Sequence, residues 1–268
     1  MSECSARSDL AHRSARKPIE QARWYVVWKQ GLDFMGAAIL LIPALPLILL
    51  AACLVKVTSP GPAFYGQRRL GRGGHLFTIY KIRTMLHDCG RLTGPQWASL
   101  SDPRITLVGR LLRRLHIDEL PQLWNVLTGN MSLVGPRPER PEIALELERV
   151  IPYYHDRLGV RPGMTGLAQV QLPPDTDLDS VRRKLAHDLY YIHNPGLLMD
   201  LRILVSTACY LVGMSFRASN AVLALPTTRI IEAAYRELLV PREDSPPDAN
   251  GLARVGSGHH SELRSPSM

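Results

Sequence analysis

The sequence has few cysteines and few aromatic residues, and each shortage excludes a class of protein. No C-x-x-C pair occurs among its four cysteines, which argues against a zinc site or a disulfide framework and is compatible with a reducing cytosol. The nine histidines show no HxxxH or HExxH spacing, so zinc chemistry is not expected. Aromatic residues are only 6% of the chain, which leaves few stacking platforms for bases, and we expect no nucleic-acid partner.

Charge and composition describe what is present instead. The 268 residues carry a formal net charge of +8, which favours an anionic partner such as nucleic acid, an acidic membrane surface or a phosphorylated substrate. The length allows one domain with appendages. Both ends, residues 1–20 and 241–268, are polar and poor in bulky apolar residues, so we expect disordered tails without a catalytic role.

A long apolar run, DFMGAAILLIPALPLILLAACLVK at 33–56, is the strongest single signal. It holds 22 uncharged residues between Asp33 and Lys56, and a straight helix of them would reach about 33 Å, enough to cross a bilayer. The run is long, starts late and lacks a clear cleavage site, so it does not match a signal peptide. We therefore predict a membrane segment.

Two prolines, Pro43 and Pro46, lie in the middle of this run and predict a kink. The two arms, 34–44 and 47–55, would then each reach about half of a ~30 Å hydrocarbon core. Basic residues on both sides favour a re-entrant helix whose two ends are cytosolic, and an ordinary kinked transmembrane helix is the alternative. The basic residues are Arg7, Arg13, Arg16, Lys17, Arg23 and Lys29 before the run, and Lys56, Arg68, Arg69, Arg72, Lys81 and Arg83 after it.

The region after the run reads as soluble. Short apolar pieces, 63–65 and 76–80, alternate with glycine turns and predict small strands. GRLLRRLHI at 109–117 has helical spacing that places three arginines on one face, and an ordinary solvated face is the alternative reading. Those arginines are Arg110, Arg113 and Arg114.

Two adjacent acids follow, in HIDELPQLW. Asp118 is predicted to cap a helix over roughly 119–128, with Gly129 ending it. The free amides and the dipole of a helix start keep a carboxylate ionised and attract phosphate oxygens. Capping alone would also explain the pair.

The surroundings of the acids favour chemistry. Adjacent carboxylates can divide labour, because a negative neighbour separates their proton affinities. Gly-Pro-Arg-Pro at 135–138 adds Arg137, a side chain suited to a bidentate grip on phosphate. A membrane segment, an acidic pair and several arginines together indicate phosphate chemistry at a bilayer surface.

These residues bring the chain to a resemblance. From Lys29 to about Thr207 it resembles the bacterial sugar transferases that are monotopic phosphoglycosyl transferases, which begin glycan assembly on polyprenyl phosphate. The motifs that carry the resemblance are KQGLDF, SPGPAFYGQRRLGRGG at 59–74, YKIRTM at 80–85, DPRITLVGRLLRRLHIDELPQLWNVLTGNMSLVGPRPE at 102–139, RPGMTGLAQV at 161–170 and DLYYIHNPGLLMDLRIL at 188–204.

The resemblance implies a two-step reaction with Mg²⁺. Asp118 would be the nucleophile and a metal ligand, attacking the β-phosphate of a UDP-sugar, expelling UMP and keeping a phosphosugar that undecaprenyl phosphate then takes. Glu119 would complete the dyad, by which we mean Asp118 and Glu119, and would support the acceptor step or the metal. The implied phosphate- and substrate-binding residues are Arg113, Arg137, Pro136 and Arg83, and the implied residues of the re-entrant kink are Pro46 and Pro43.

The expected architecture is α+β and mainly helical, with a re-entrant membrane helix, a compact cytosolic catalytic domain and interfacial amphipathic helices. Its partners would be the donor, the acceptor, membrane lipid and downstream glycosyltransferases, at the bacterial inner membrane with the catalytic domain facing the cytosol. The expected divisions are a tail at 1–20, a membrane region at 21–58, the catalytic domain at 59–215, an extension at 216–240 and a tail at 241–268.

Three points stay open. The apolar stripe at 197–214 suits either a helix lying at the membrane interface or a helix packed in the soluble core. The chain departs from the family after Gln169-Val170, where Asn-Gly-Arg is usual and QLPPDTDLDS stands here, and it has Leu45 where serine is usual. A membrane-tethered nucleic-acid binder and a silent scaffold of the same family remain the rival functions.

Overall fold

The computed structural model describes residues 23–87 and 102–239, so the predicted tails lie outside it. The described chain is mostly helical with two small two-stranded sheets, which confirms the mainly helical α+β prediction at that level. Its elements are α1 Arg23–Thr58, β1 Phe64–Leu70, β2 Leu76–Ile82, α2 Leu107–Arg114, α3 Gln122–Leu127, β3 Ser132–Val134, α4 Pro141–Val150, β4 Gly163–Thr165, α5 Leu167–Gln171, α6 Leu178–His193, α7 Leu197–Leu211, α8 Phe216–Val222 and α9 Thr228–Leu239.

Helix α1 is long and apolar enough to cross a bilayer, judged by its length and composition alone. It begins ten residues before the apolar run and continues as one helix through Pro43 and Pro46. The re-entrant path stays a prediction. One face packs on the domain through buried small or branched residues, while most apolar side chains on the other faces are exposed. The buried residues are Ala37, Ala44, Ile48, Ala51 and Val55.

The start of α1 is fixed to the domain by buried ionic contacts. Asp200 of α7 accepts hydrogen bonds from Tyr25 Oη at 2.9 Å and from Lys29 Nζ at 3.0 Å. Asp33 accepts from Ser132 Oγ at 2.7 Å. Because these buried charges are paired, removing one partner would leave an uncompensated charge and destabilise this contact strongly.

A hairpin follows the end of α1. Strands β1 and β2 pair antiparallel, from Phe64 opposite Ile82 to Leu70 opposite Leu76. The sequence located both strands but made them too short, because the first strand continues through Gln67-Arg68-Arg69, whose side chains carry little hydrophobic signal.

The two glycine-containing motifs GPRP and RPGMTG are packed directly on each other. Strand β3 pairs in parallel with β4, and Gly135 N donates to Thr165 O at 2.9 Å. A Cβ on Gly163 would lie 2.1 Å from Gly135 N, and one on Gly166 would lie 2.2 Å from Gly135 O. Only glycine therefore allows the two backbones to come this close, and the approach fixes the turn that carries Arg137.

Helix α7 buries two polar residues together with Ile203 and exposes most of its apolar stripe. Asp200, Ile203 and Ser206 are buried, whereas Leu201 and Leu211 are 56% and 58% exposed. Most of the predicted stripe is therefore exposed, whereas Ile203 of the same helix is part of the hydrophobic core and Leu204 of the stripe packs against that core. The helix thus packs on the domain with one face and presents apolar side chains on another. An exposed apolar stripe is what an interfacial helix requires.

The residues after 215 pack on the same domain. Leu225 and Ile231 belong to the hydrophobic core, and Gln171 Nε2 donates to Pro226 O at 2.9 Å. The extension predicted at 216–240 is thus part of the packed body as far as it is described.

Candidate active site

The dyad lies in a short 3₁₀ turn between α2 and α3. The turn spans Ile117–Glu119, and His116 before it has a left-handed backbone with φ of 54°. Helix α3 starts only at Gln122, and Pro121 before it supplies no side-chain cap. The prediction that Asp118 caps a helix over 119–128 is therefore wrong: the left-handed residue reverses the chain after α2 and places both acids before the helix begins.

Helix α3 is held against the hairpin, which orients the turn. Asn125 Oδ1 accepts from Tyr80 N at 3.2 Å, and its Nδ2 donates to Thr78 O at 2.7 Å. Gly129 after the helix has φ of 76°, which confirms that the helix ends there, since few residues other than glycine adopt this conformation readily.

Glu119 is fully engaged by two cations, which together with it form what we call the Glu119 cluster. Lys81 Nζ donates to its Oε1 at 2.7 Å. Arg137 donates through Nη1 to Oε2 at 3.2 Å and through Nη2 to Oε1. Burial alone would raise the pKa of Glu119, but Arg137 and Lys81 outweigh it and hold that pKa well below its ordinary value. Glu119 therefore stays ionised.

Asp118 is the sequence neighbour of Glu119, but its surroundings are the opposite. Asp118 is 7% exposed. Within residues 23–87 and 102–239, no hydrogen bond or ion pair engages its carboxylate. Burial raises its pKa above the ordinary value and Glu119 raises it further, while Lys81, Arg113 and His116 oppose the rise. A shielded carboxylate with unused lone pairs can act as a nucleophile or bind a metal ion.

Arg113 reaches the site from α2. Its Nε donates to Thr84 Oγ1 at 2.8 Å. The helix comes close because a Cβ on Gly109 would lie 2.0 Å from Thr84 O. Arg110 and Arg114 are exposed, so the predicted basic face divides into one arginine directed to the site and two at the surface.

The turn that carries Arg137 is held in place by hydrogen bonds to its backbone carbonyls. Arg157 is buried and donates to the Arg137 carbonyl at 2.9 Å and to Asp188 Oδ2 at 2.7 Å. The Pro136 carbonyl accepts from Gly163 N at 2.9 Å. These contacts hold the turn in place while the guanidinium binds Glu119.

Arg83 is directed elsewhere. Its Nη2 donates to Ser59 O at 3.0 Å and to Ser59 Oγ at 2.9 Å, and its Nη1 donates to Pro60 O. The guanidinium thus ties the end of α1 to the hairpin. Phosphate binding by Arg83 stays a prediction, and these contacts indicate a structural role instead.

The sequence reasoning missed Lys81 and Arg157. Lys81 stands in YKIRTM, a motif that was recognised without assigning its lysine a role. Its partner Glu119 lies 38 positions away. For Arg157 the sequence gives no signal of its role, because the Arg137 carbonyl and the Asp188 carboxylate that it binds lie 20 and 31 positions away.

A divalent cation would find one unpaired carboxylate here, that of Asp118, and would need donor phosphates for its other ligands. No cluster of three His, Cys, Asp or Glu residues that could hold a metal occurs in the described part of the chain. Mg²⁺ is often bound through one or two carboxylates together with substrate phosphates. Asp118 offers such a carboxylate, whereas both oxygens of Glu119 are already taken.

Comparison with known proteins finds a matching family and named relatives. The family model described as bacterial sugar transferase matches residues 24–214. The chain is 44% identical over 183 residues to the UDP-N-acetylgalactosamine-undecaprenyl-phosphate N-acetylgalactosaminephosphotransferase of Aeromonas hydrophila, covering 68% of this chain and 43% of that protein. It is 47% identical over 183 residues to the UDP-glucose:undecaprenyl-phosphate glucose-1-phosphate transferase of Caulobacter vibrioides, covering 67% of each.

A shorter relative is matched over nearly its whole length. The exopolysaccharide production protein PSS of Rhizobium leguminosarum bv. phaseoli is 41% identical over 187 residues, covering 68% of this chain and 94% of that protein. The chain therefore spans less than half of the Aeromonas relative and almost all of the Rhizobium one.

Proposed function

Because the chain belongs to the bacterial sugar transferase family, we propose that it transfers a sugar 1-phosphate from a UDP-sugar to undecaprenyl phosphate. The products are undecaprenyl-diphosphate-sugar and UMP, and the step initiates synthesis of an exopolysaccharide, capsule or O-antigen-type glycan. Two relatives named above carry N-acetylgalactosamine and glucose in their names. The proposal therefore leaves the sugar open. Glycosyltransferases that extend the product are the implied downstream partners.

The contrast within the dyad carries this proposal. The Asp118 carboxylate has unused lone pairs, whereas both oxygens of Glu119 bind cations. In the first step, an Asp118 oxygen attacks the β-phosphorus of the donor. The bond from that phosphorus to the bridging oxygen breaks, and UMP leaves with the electron pair. In the second step, an oxygen of undecaprenyl phosphate attacks the same phosphorus and releases the Asp118 carboxylate.

The cations around the dyad support both steps. Arg113 and the Glu119 cluster place positive charge where two anions must meet, which lowers the repulsion between a carboxylate and a diphosphate. Glu119 holds Arg137 and Lys81 in position and stays ionised throughout, so it serves as a positioning residue. Mg²⁺ bound by Asp118 and donor phosphates would supply further positive charge at this place.

The proposed location is the cytosolic face of the bacterial inner membrane, with α1 re-entrant. Three exposed apolar surfaces support membrane contact: the outer faces of α1, the stripe of α7 and a stripe of α2. Leu107, Leu111 and Leu115 form the α2 stripe at a spacing of four residues and are each at least half exposed. Helices with such stripes lie at the headgroup boundary.

Cysteine labelling tests the location. In a background without native cysteines, Val27→Cys and His75→Cys place single exposed thiols before and after the apolar run. We expect a membrane-impermeant maleimide added to intact spheroplasts to label neither, and to label both after lysis. Labelling of either residue in intact spheroplasts would make α1 a conventional span.

UMP release tests the activity. The full chain is purified in detergent and mixed with Mg²⁺, undecaprenyl phosphate and a panel of UDP-sugars. We expect one or a few donors to release UMP and to leave a phosphosugar on the peptide that contains HIDELPQLW, seen by mass spectrometry after omission of the acceptor. A well-folded protein that releases no UMP from any donor would be a silent scaffold.

A further inference from the structure

A small cavity outside the active site lies beside the first third of α1. Its volume is about 30 Å³, it opens to solvent, and it is lined by parts of α1, β3, α6 and the turns that carry Arg72 and Arg161. Neither the dyad nor its surrounding cations line it. The cavity and the active site are nevertheless adjacent in the chain, because β3 forms part of the cavity wall and leads into the turn that carries Arg137.

Two of the four charged residues in the cavity wall, Lys29 and Asp33, are paired within the protein itself. The Asp33 carboxylate accepts hydrogen bonds from Ser132 Oγ at 2.7 Å and from Leu133 N at 3.1 Å. Lys29 Nζ donates to Asp200 Oδ2 at 3.0 Å. Lys29 and Asp33 therefore already have partners within the protein and offer few hydrogen bonds to a ligand.

Two arginines differ from this pattern. Arg72 and Arg161 both line the cavity, and within the described ranges 23–87 and 102–239 neither guanidinium makes a hydrogen bond or an ion pair. Gln30 on α1 lines the same space. Two free guanidinium groups and an amide at one cavity form an excess of donors and of positive charge. Guanidinium groups match the geometry of phosphate oxygens, to which they bind in a bidentate manner.

The position of the cavity on α1 indicates where its ligand comes from. Trp24 and Trp28 lie within two residues of lining residues and are 60% and 64% exposed. Exposed tryptophans beside an apolar helix are typical of the membrane–water interface. The uncharged part of α1 begins at residue 34, immediately after the cavity-lining residue Asp33. If α1 enters the bilayer, the cavity therefore opens at the depth of lipid headgroups.

We infer that this cavity binds the phosphate of an anionic membrane phospholipid, with Arg72 and Arg161 as the principal donors. The inference rests on the proposed membrane contact of α1 but concerns a ligand that is neither donor nor acceptor of the transfer reaction. A phosphate bound there bridges α1, the hairpin turn and the segment before β4. It would thus hold together three elements that support the Arg137 turn.

Binding to the full chain in dodecyl maltoside tests this inference, with intrinsic tryptophan fluorescence as the readout. Three probes are titrated: dihexanoyl phosphatidylglycerol, dihexanoyl phosphatidylcholine and inorganic phosphate. We expect saturable binding of phosphatidylglycerol, weaker by about tenfold or more in Arg72→Gln and in Arg161→Gln. Arg149→Gln is the matched control, because Arg149 is exposed on α4 and does not line the cavity.

Each other outcome overturns the inference. Equal binding of phosphatidylcholine would mean that net negative charge is not recognised, and equal binding of inorganic phosphate would assign the cavity to a free anion. Equal affinity of Arg72→Gln and Arg149→Gln would show that the cavity is not the site. Thermal unfolding checks each variant, and Arg72→Gln decides if Arg161→Gln does not fold. UMP release is measured separately, so its failure with intact lipid binding would count against the proposed function alone.

Discussion

The Asp118 side and the Glu119 side of one short turn show how consecutive acids acquire different chemistry. On the Glu119 side, a lysine and an arginine from two distant segments bind both carboxylate oxygens and lower the pKa of the acid. On the Asp118 side, burial raises the pKa and the carboxylate has no hydrogen-bonding partner among the described residues. The difference shows that Glu119 gathers positive charge beside Asp118, and the proposed mechanism has Asp118 use that charge.

The largest expected effect comes from removing Asp118, the proposed nucleophile. Asp118→Asn should lower UMP release on the order of 10³-fold or more, because an amide cannot form the acyl phosphate. Its stability should change little, since asparagine has the same shape and Asp118 makes no hydrogen bond that would be lost. Initial rates and thermal unfolding measure the two quantities. Near-normal turnover in a folded sample would remove the covalent mechanism.

Glu119→Gln should affect both stability and turnover, unlike Asp118→Asn, because it removes the anion that Arg137 and Lys81 bind. The change leaves Arg137 and Lys81 partly buried without their anion, so we expect a loss of stability on the order of 1–3 kcal/mol besides a roughly 10²-fold loss of turnover. The covalent adduct on Asp118 should still form with a labelled donor. If Glu119→Gln is as stable as the native protein, the ion pairs of the Glu119 cluster do not contribute to folding.

Arg137→Lys tests whether the shape of the cation matters. Lysine keeps the charge but cannot bind both oxygens of Glu119 as a planar fork, so UMP release should fall by roughly tenfold to a hundredfold with little change in unfolding temperature. Arg140→Lys is a control on the same segment that lies outside the Glu119 cluster. Equal rates for the two variants would show that the fork at position 137 is dispensable.

The sequence predicted which residues lie together better than how they are arranged, and their catalytic roles stay predictions. Motifs placed Asp118, Glu119, Arg113 and Arg137 in one site, because these residue types in this order are specific. The capping role of Asp118 was wrong, because a helix start in the sequence does not reveal the left-handed His116 that separates the turn from α3.

Contacts between distant segments could not be predicted from the sequence, because they form only when the chain folds. The pairing of GPRP with RPGMTG depends on three glycines that touch only in the folded chain. Arg83 and Arg137 look alike as motif arginines, yet one binds carbonyls at the end of α1 and the other binds a carboxylate. Which arginine serves structure and which serves the site is decided by tertiary packing, and no local pattern encodes it.

The pH dependence of turnover tests the contrast between the two acids through the pKa of Asp118. The proposed mechanism requires ionised Asp118, so activity should fall as the pH decreases through the raised pKa of this carboxyl. Arg113 lowers that pKa, so Arg113→Gln should move the acid limb of kcat to higher pH. Glu119→Gln removes a negative neighbour and should move the limb to lower pH. Shifts in the same direction for both variants would contradict the assignment of the limb to Asp118.

The smallest expected effect concerns the hydroxyl that orients Arg113. Thr84 Oγ1 accepts the hydrogen bond from Arg113 Nε at 2.8 Å, and Thr84→Val removes this acceptor at almost constant shape. The charge of Arg113 is kept, so the acid limb should stay in place, while a less well oriented guanidinium should lower kcat/KM by about threefold to tenfold, the worth of one hydrogen bond. Thr78→Val, in the exposed part of β2, is the matched control. A shifted acid limb would mean that Thr84 affects the Asp118 carboxyl directly, and an unchanged kcat/KM would mean that Gly109 and the packing of α2 suffice to place Arg113.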